Sequence, residues 1–278
     1  YGEKCLEYLR GMFAFAIWDK SKAQLFIARD RLGKKPLKYY LDPDKKFLVF
    51  ASELKALFED SEVKNKKEID YSAIDEYLTY SYVPHPKTGF KNIFKLEPAH
   101  YLIVKSNGSI TKNRYWQLNF SDKLFLPEIE WKERIISKLK ESVRIRLASD
   151  VPLGAHLSGG IDSSLIVALM SQETKNPVKT FSIGFKENDY NELPYARQVS
   201  ERYKTDHHEF NVDSNMMEIL PRIVYQYEEP YADASALPTW YLSEITKKHI
   251  TVALNGDGGD ENFAGYNRYA AGAMHKTL

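Results

Sequence analysis

At 278 residues the chain is long enough for two domains or one large one. Hydrophobic residues at 43% and charged ones at 28% are ordinary for a globular protein, and a net charge of +1 gives no footprint for nucleic acid or an acidic partner. One cysteine excludes an internal disulfide framework, and no apolar run of membrane-spanning length or signal peptide is visible, so the expected location is the cytoplasm.

The chain opens at Tyr1 without Met and closes at Leu278 just after a motif-rich stretch, so a fragment of a longer protein is expected. Cys5 falls on an expected helix. Residues 9–18 alternate large and small apolar side chains and read as a strand buried on both faces. Further strands are expected at 24–28 and 46–51, separated by polar or Pro/Gly-bearing turns. Ser52 should then cap a short helix through Glu59, with 59–68 a solvated connection. Asp70 should cap a helix ending near Tyr80, followed by a Pro-containing loop over 83–89. A hairpin comes next: strand 101–104, a turn at Asn107-Gly108, and strand 109–116. This half is strand-rich and lacks strand–helix alternation.

Composition changes near residue 118. Pro127 opens an expected helix over 128–148, with Trp131, Ile135, Leu139, Val143 and Leu147 at helical spacing as core contacts. Strands and helices then alternate: strands at 151–157, 178–184, 207–212 and 250–254, helices at 163–172, 192–203, 214–227 and 236–248. That rhythm predicts an open parallel sheet covered on both faces, with ligands beyond the carboxyl ends of its strands.

Two loops stand at such strand ends. Ser158-Gly159-Gly160-Ile161-Asp162-Ser163-Ser164 joins a strand to a helix start, where glycines let the backbone approach and first-turn N–H groups face an anion. It lacks the lysine of a Walker A loop. A carboxylate at Asp162 makes sense beside phosphate if it holds Mg²⁺, although an ordinary Gly-Ser turn capped by Asp162 would look similar. Asn255-Gly256-Asp257-Gly258-Gly259-Asp260-Glu261 supplies three glycines and three carboxylates. One loop for anions and one acidic loop fit a Mg²⁺–nucleotide site better than two unrelated turns.

These residues resemble the asparagine synthetase family of the glutamine-hydrolysing kind. Residues 158–164 look like its pyrophosphate-binding loop, and 255–261 like its Ser-Gly-Asp/Glu-Gly-Gly/Ser-Asp-Glu loop. Phe181-Ser182-Ile183-Gly184 is similar to the strand beside the adenine, and Tyr231-Ala232-Asp233-Ala234-Ser235-Ala236-Leu237-Pro238-Thr239 matches another family stretch. Gly11-Met12-Phe13-Ala14-Phe15-Ala16-Ile17-Trp18-Asp19, Ala28-Arg29-Asp30-Arg31-Leu32-Gly33 and Ala51-Ser52-Glu53-Leu54-Lys55-Ala56-Leu57 resemble the later part of its glutaminase domain.

The resemblance covers essentially the whole chain and implies an α/β protein. A strand-rich α+β domain over 1–118, part of an Ntn-type (class II) glutaminase, would precede a parallel-sheet ATP-pyrophosphatase (PP-loop) domain over 119–278, truncated at its C-terminus. It implies ATP-dependent adenylation of the aspartate side chain, release of pyrophosphate, and displacement of AMP by glutamine-derived ammonia passed through an internal tunnel. His156, Leu157, Ser158, Gly159, Gly160, Asp162, Ser163, Ser164, Ile183, Asn255 and Gly256 would bind ATP and pyrophosphate, the backbone at His156, Leu157, Ile183 and Gly256 holding adenine and ribose. Asp162 and Asp260 would hold Mg²⁺, and Asp257 would orient or deprotonate the ammonia. The implied partners are aspartate, glutamine and ATP, with neither nucleic acid nor membrane, and a homodimer is compatible with the family.

Some positions depart from the pattern. Asn255 replaces a frequent Ser, and Asn262 and Ala264 replace the usual Leu and Gly. The family's nucleophilic cysteine is a mature N-terminal residue and would precede Tyr1; Cys5 is a structural thiol. A family lysine in C-terminal helices would lie beyond Leu278. Related readings are a β-lactam synthetase-like or cell-envelope amidotransferase acting on another acid, and a nucleotide-binding fragment without turnover. His207-His208-Glu209 cannot share one metal, since neighbours on a strand face opposite ways. Lys34-Lys35 with Lys38 reads as a solvated turn.

Overall fold

Contacts divide the chain into two units: Tyr1–Lys123 with Pro221–Asp233, and Leu124–Leu220 with Ala234–Leu278. The computed structural model describes residues 1–44, 47–185, 191–212 and 216–275. In the first unit, a helical turn Gly2–Lys4 runs into α1 (Cys5–Tyr8) and is followed by β1 (Ala14–Asp19), β2 (Gln24–Arg29), β3 (Lys38–Leu41) and β4 (Leu48–Ala51). Next come α2 (Leu54–Leu57), α3 (Ser61–Asn65), α4 (Tyr71–Tyr80), β5 (Ile93–Lys95), β6 (His100–Lys105) and β7 (Ile110–Arg114). They form two antiparallel sheets, ordered β1-β2-β6-β7 and β4-β3-β5. Alternation along β2 sends Ile27 into one core cluster with Leu37, Tyr39, Leu96 and Leu102, and Phe26 and Ala28 into another with Leu6.

The second unit opens with α5 (Glu128–Arg146) and continues through β8 (Leu153–His156), α6 (Ile161–Glu173), β9 (Lys179–Gly184), α7 (Leu193–Tyr203) and β10 (Asp206–Asn211). A helical turn Met216–Ile219 leads to α8 (Leu220–Tyr227), nearly all of which packs in the first unit. The second unit resumes with α9 (Ala236–Thr246), β11 (Val252–Leu254), α10 (Gly259–Phe263) and α11 (Asn267–His275). Its four strands pair in parallel in the order β10-β9-β8-β11. Ala155 and Leu157 share a buried cluster with Val143 of α5, Val167, Leu169 and Met170 of α6, and Ala196 of α7. The parallel, helix-covered second part is what the alternation there predicted, and with the antiparallel first part it makes the chain α/β.

Several expectations are corrected. Residues 9–12 are not strand, and β1 is a sheet edge whose Ile17 and Trp18 are 51% and 55% exposed. Large–small alternation is therefore a poor guide to burial here. Ser52 caps nothing: α2 starts after Glu53 without a side-chain cap. The polar stretch 59–68 contains α3, because the Asp60 carboxylate accepts the N–H groups of Glu62 and Val63. The structure adds strands β3 and β5, which no sequence signal marks. Trp131 is 38% exposed, while Val143 is buried and Leu139 and Leu147 pack on its cluster. Lys46 and Ser214, the expected starts of a strand and a helix, lie outside the described residues. Asp70 caps α4 as expected, accepting from Ser72 and Ala73 N–H, and the 107–108 hairpin turn is present.

The Arg29-Asp30 stretch is a structural knot. The Asp30 carboxylate accepts N–H groups from Phe13, Leu32, Lys34 and Lys35 at 2.9–3.3 Å. Arg29 donates to the carbonyls of Lys35, Leu96 and Gly33 at 2.5–2.7 Å. Seven backbone groups, five of them in the turn 32–35, are thereby satisfied.

Candidate active site

The anion loop follows β8. Gly159 has φ +86°, and a Cβ there would lie 2.5 Å from the backbone of Tyr195 and Ala196, so α7 packs directly on the loop. Only glycine meets both demands. The serines act largely on one another. Ser158 N–H donates to Ser163 Oγ at 3.2 Å, the two hydroxyls lie 2.9 Å apart, Gly160 N–H donates to Ser158 Oγ at 3.2 Å, and Ser163 Oγ donates to the Gly160 carbonyl at 3.2 Å. These bonds fix the turn at the head of the 13-residue α6, whose first-turn N–H groups and dipole favour an anion. Ser164 Oγ is buried and has no hydrogen-bond partner among the described residues.

Leu157 is buried, its N–H donating to the Phe181 carbonyl at 2.9 Å and its carbonyl accepting from Ser182 Oγ. Ile183 stands on β9, two residues past the Phe181–His156 pair. His156 ends β8 with its Nε2 buried and without a hydrogen-bond partner among the described residues. Burial lowers its basicity, and the charge of Asp257 opposes that shift. No motif signals that this imidazole faces the acidic loop's field.

The acidic loop follows β11 and meets the anion loop. A Cβ on Gly256 would lie 2.8 Å from the Asp162 Cβ, and one on Gly259 would lie 2.4 Å from the Asp162 carboxylate. Asp162 is thus brought against the backbone beside Asp257 and Asp260. Asn255 Nδ2 donates to Asp257 Oδ2 at 2.6 Å, and Asp257 N–H donates back to Asn255 Oδ1 at 3.3 Å, which orients the carboxylate. Asp260 and Glu261 lie in the first turn of α10, and Tyr266 Oη donates to Glu261 Oε1 at 2.8 Å. That bond lowers the Glu261 carboxyl and raises the Tyr266 phenol to about 12.

Among the described residues, no three His, Cys, Asp or Glu side chains cluster as a ready metal cage. Two hard carboxylates from adjoining loops do suit a cation that takes its other ligands from water and phosphate. The three consecutive residues 207–209 form no metal group. His207 Nδ1 lies 2.9 Å from Thr180 Oγ1, whereas the His208 ring stacks on Phe181 with centroids 5.2 Å apart.

Comparison with known proteins adds two family matches: the asparagine synthase model over residues 134–277 and the glutamine amidotransferase domain model over residues 1–116. A Methanocaldococcus jannaschii protein, provisionally named asparagine synthetase [glutamine-hydrolyzing] 2, is 39% identical over 98% of this chain and 52% of its own length. Asparagine synthetase [glutamine-hydrolyzing] 1 of Bacillus subtilis is 37% identical over 97% of this chain and 42% of its own. Amidase chry2 of Gibberella zeae is 30% identical over 99% and 42%. The chain therefore spans about half the length of the curated relatives it matches. Among the described residues, no helix is long and apolar enough to cross a membrane.

Proposed function

The chain belongs to the asparagine synthase family, and from that premise we propose that its parent protein uses ATP to activate the side-chain carboxylate of aspartate and forms asparagine with glutamine-derived ammonia. Residues 1–118 are assigned to the amidotransferase domain and 119–278 to the synthetase domain. The observation that carries the reading is the meeting of the two loops, with Gly256 and Gly259 packed on Asp162.

The residues divide the work. Backbone N–H groups at the head of α6 and the loop of Ser158, Gly159, Gly160, Ser163 and Ser164 grip the pyrophosphate that leaves as the acyl-adenylate forms. Backbone at His156, Leu157, Ile183 and Gly256 faces adenine and ribose, with Asn255 beside them. Asp162 and Asp260 would hold Mg²⁺, which neutralises phosphate charge when bound. Asp257, oriented by Asn255, takes a proton from the ammonia as it attacks the acyl carbon, and AMP departs. A second reading, with another carboxylic acid as substrate, is favoured by the likeness to an amidase.

ATP–pyrophosphate exchange on the full-length protein tests this. Asp162→Ala should abolish aspartate-dependent exchange in a folded protein. Near-normal exchange would remove the Mg²⁺ assignment, and exchange driven by another acid alone would select the second reading.

A further inference from the structure

Residues 221–233 pack in the first unit, although the residues on either side, 124–220 and 234–278, pack in the second. Two consecutive carboxylates hold this excursion. Glu228 has φ +65°, a left-handed conformation that disfavours any side chain, yet that side chain is only 6% exposed. Its Oε2 accepts the Leu54 N–H at 2.7 Å and faces Lys38 Nζ at 3.2 Å. Its Oε1 accepts the Lys55 N–H at 2.8 Å, with Lys55 Nζ at 3.9 Å. Glu229 accepts the Gly89 N–H at 3.1 Å and pairs with Lys95 Nζ, also at 3.1 Å, both side chains being largely buried. Adjacent acids repel, and here Glu228 is matched by two amide donors and two lysines, and Glu229 by one of each.

The course of the chain beyond the pair gives the arrangement a consequence. From Glu229 the backbone passes through 231–235 into α9, which packs on β9 and leads by β11 into the acidic loop. One helix and one short strand separate the carboxylate pair from Asp257. The residues that grip the pair, Lys38, Leu54, Lys55, Gly89 and Lys95, all lie in the part that matches the glutamine amidotransferase domain.

We propose that Glu228 and Glu229 form a latch by which the amidotransferase part fixes the approach to α9 and the acidic loop, keeping ammonia production tied to amide formation. The two glutamates are positioning residues, acting through α9 and β11. This role rests on the proposed amide-forming function.

The test uses the full-length protein with Glu228→Gln, Glu229→Gln and Lys95→Met. The glutamine substitutions keep the shape and one acceptor oxygen, while removing the charge and turning the other oxygen into an NH2 donor. Amide exchange should accelerate by roughly 10-fold or more at Leu54 and Lys55 in the first variant, and at Gly89 in the other two. AMP formation driven by ammonium should stay within about two-fold of wild type, while glutamine-driven AMP falls by roughly 10-fold and glutamate released per AMP rises. Unchanged exchange, or a wild-type glutamate-to-AMP ratio, overturns the latch; so does a parallel loss of both reactions, which marks a merely structural contact. A wild-type protein that makes no AMP from ammonium and any tested acid refutes the proposed function instead. In that case the coupling role falls with the function, and exchange at Leu54, Lys55 and Gly89 decides only whether the pair anchors residues 221–233: unchanged exchange rejects the anchor and accelerated exchange supports it.

Discussion

Asp257 and Asp260 stand three residues apart in one loop, yet their surroundings differ. Asp257 is oriented by Asn255, whereas Asp260 opens α10 beside the glycine that packs on Asp162. Asp257→Asn should therefore spare nucleotide affinity and remove ~10²–10⁴-fold from ammonia-dependent product formation, the usual loss of a positioned base. Asp260→Asn should weaken Mg²⁺–ATP binding itself. Equal losses of ATP affinity in the two variants would make Asp257 a metal ligand. Ala264 offers a second test at this scale. It closes α10 at φ +58°, where the resemblance leads one to expect glycine. A left-handed alanine is strained, and the greater chain entropy of glycine offsets only part of that cost. Ala264→Gly should therefore raise unfolding stability by roughly 0.5–1 kcal/mol in urea titrations. A loss of stability would show that the cap is not strained.

Among elements, legibility tracks the strength of the local signal. Helix α4 announces itself through Asp70, whose carboxylate meets two first-turn N–H groups, and α6 through a glycine turn followed by an apolar run. Strands β3 and β5 are hidden because their burial depends on partners distant in sequence: Tyr40 pairs with both Val49 and Ile93. Periodicity reports which residues could be buried, and the partner decides which are, as Trp131 and Trp18 show. The candidate site is legible as two loops at strand ends, but not their joint, because the approach of Gly259 to Asp162 depends on tertiary packing. The loop joining α4 to β5 carries a prediction of its own. There the His85 Nε2 lies 3.2 Å from Arg29 Nη1, inside the knot that Arg29 builds. Partial burial, then the charges of Arg29 and Lys95, holds the imidazole down to about 4, against an ordinary 6.5. Above 6.5 the imidazole is neutral in both folded and unfolded chains, and below it only the unfolded chain takes the proton. Stability should fall as pH drops from 6.5 towards 4, and His85→Gln should flatten that part of the profile in urea titrations. Parallel profiles for wild type and variant would refute it.

At the scale of the whole molecule the chain is not partitioned by sequence order. It leaves the second unit after Leu220, is held in the first through Asp233, and returns at Ala234. No change of composition marks this excursion. Glu228-Glu229-Pro230 carries none of the motifs read from the sequence, and its role emerges only with the amides that Leu54, Lys55 and Gly89 donate to the two carboxylates. Cooperative opening follows packing rather than sequence adjacency. In native-state hydrogen exchange with rising denaturant, amides of 221–227 should therefore open with those of β2, β3 and β6. They should not open with α7 before them or α9 after them, even though only a few residues separate α8 from α9. A ligand that stabilises the second unit alone gives an independent check. Mg²⁺–ATP at 100 times its dissociation constant should add about 2.7 kcal/mol to the opening of residues 153–164 and 252–261. The amides of 221–227 should then shift only as much as those of β2. If they instead gain the same protection as α9, the segment unfolds with its sequence neighbours, and its assignment to the first unit fails.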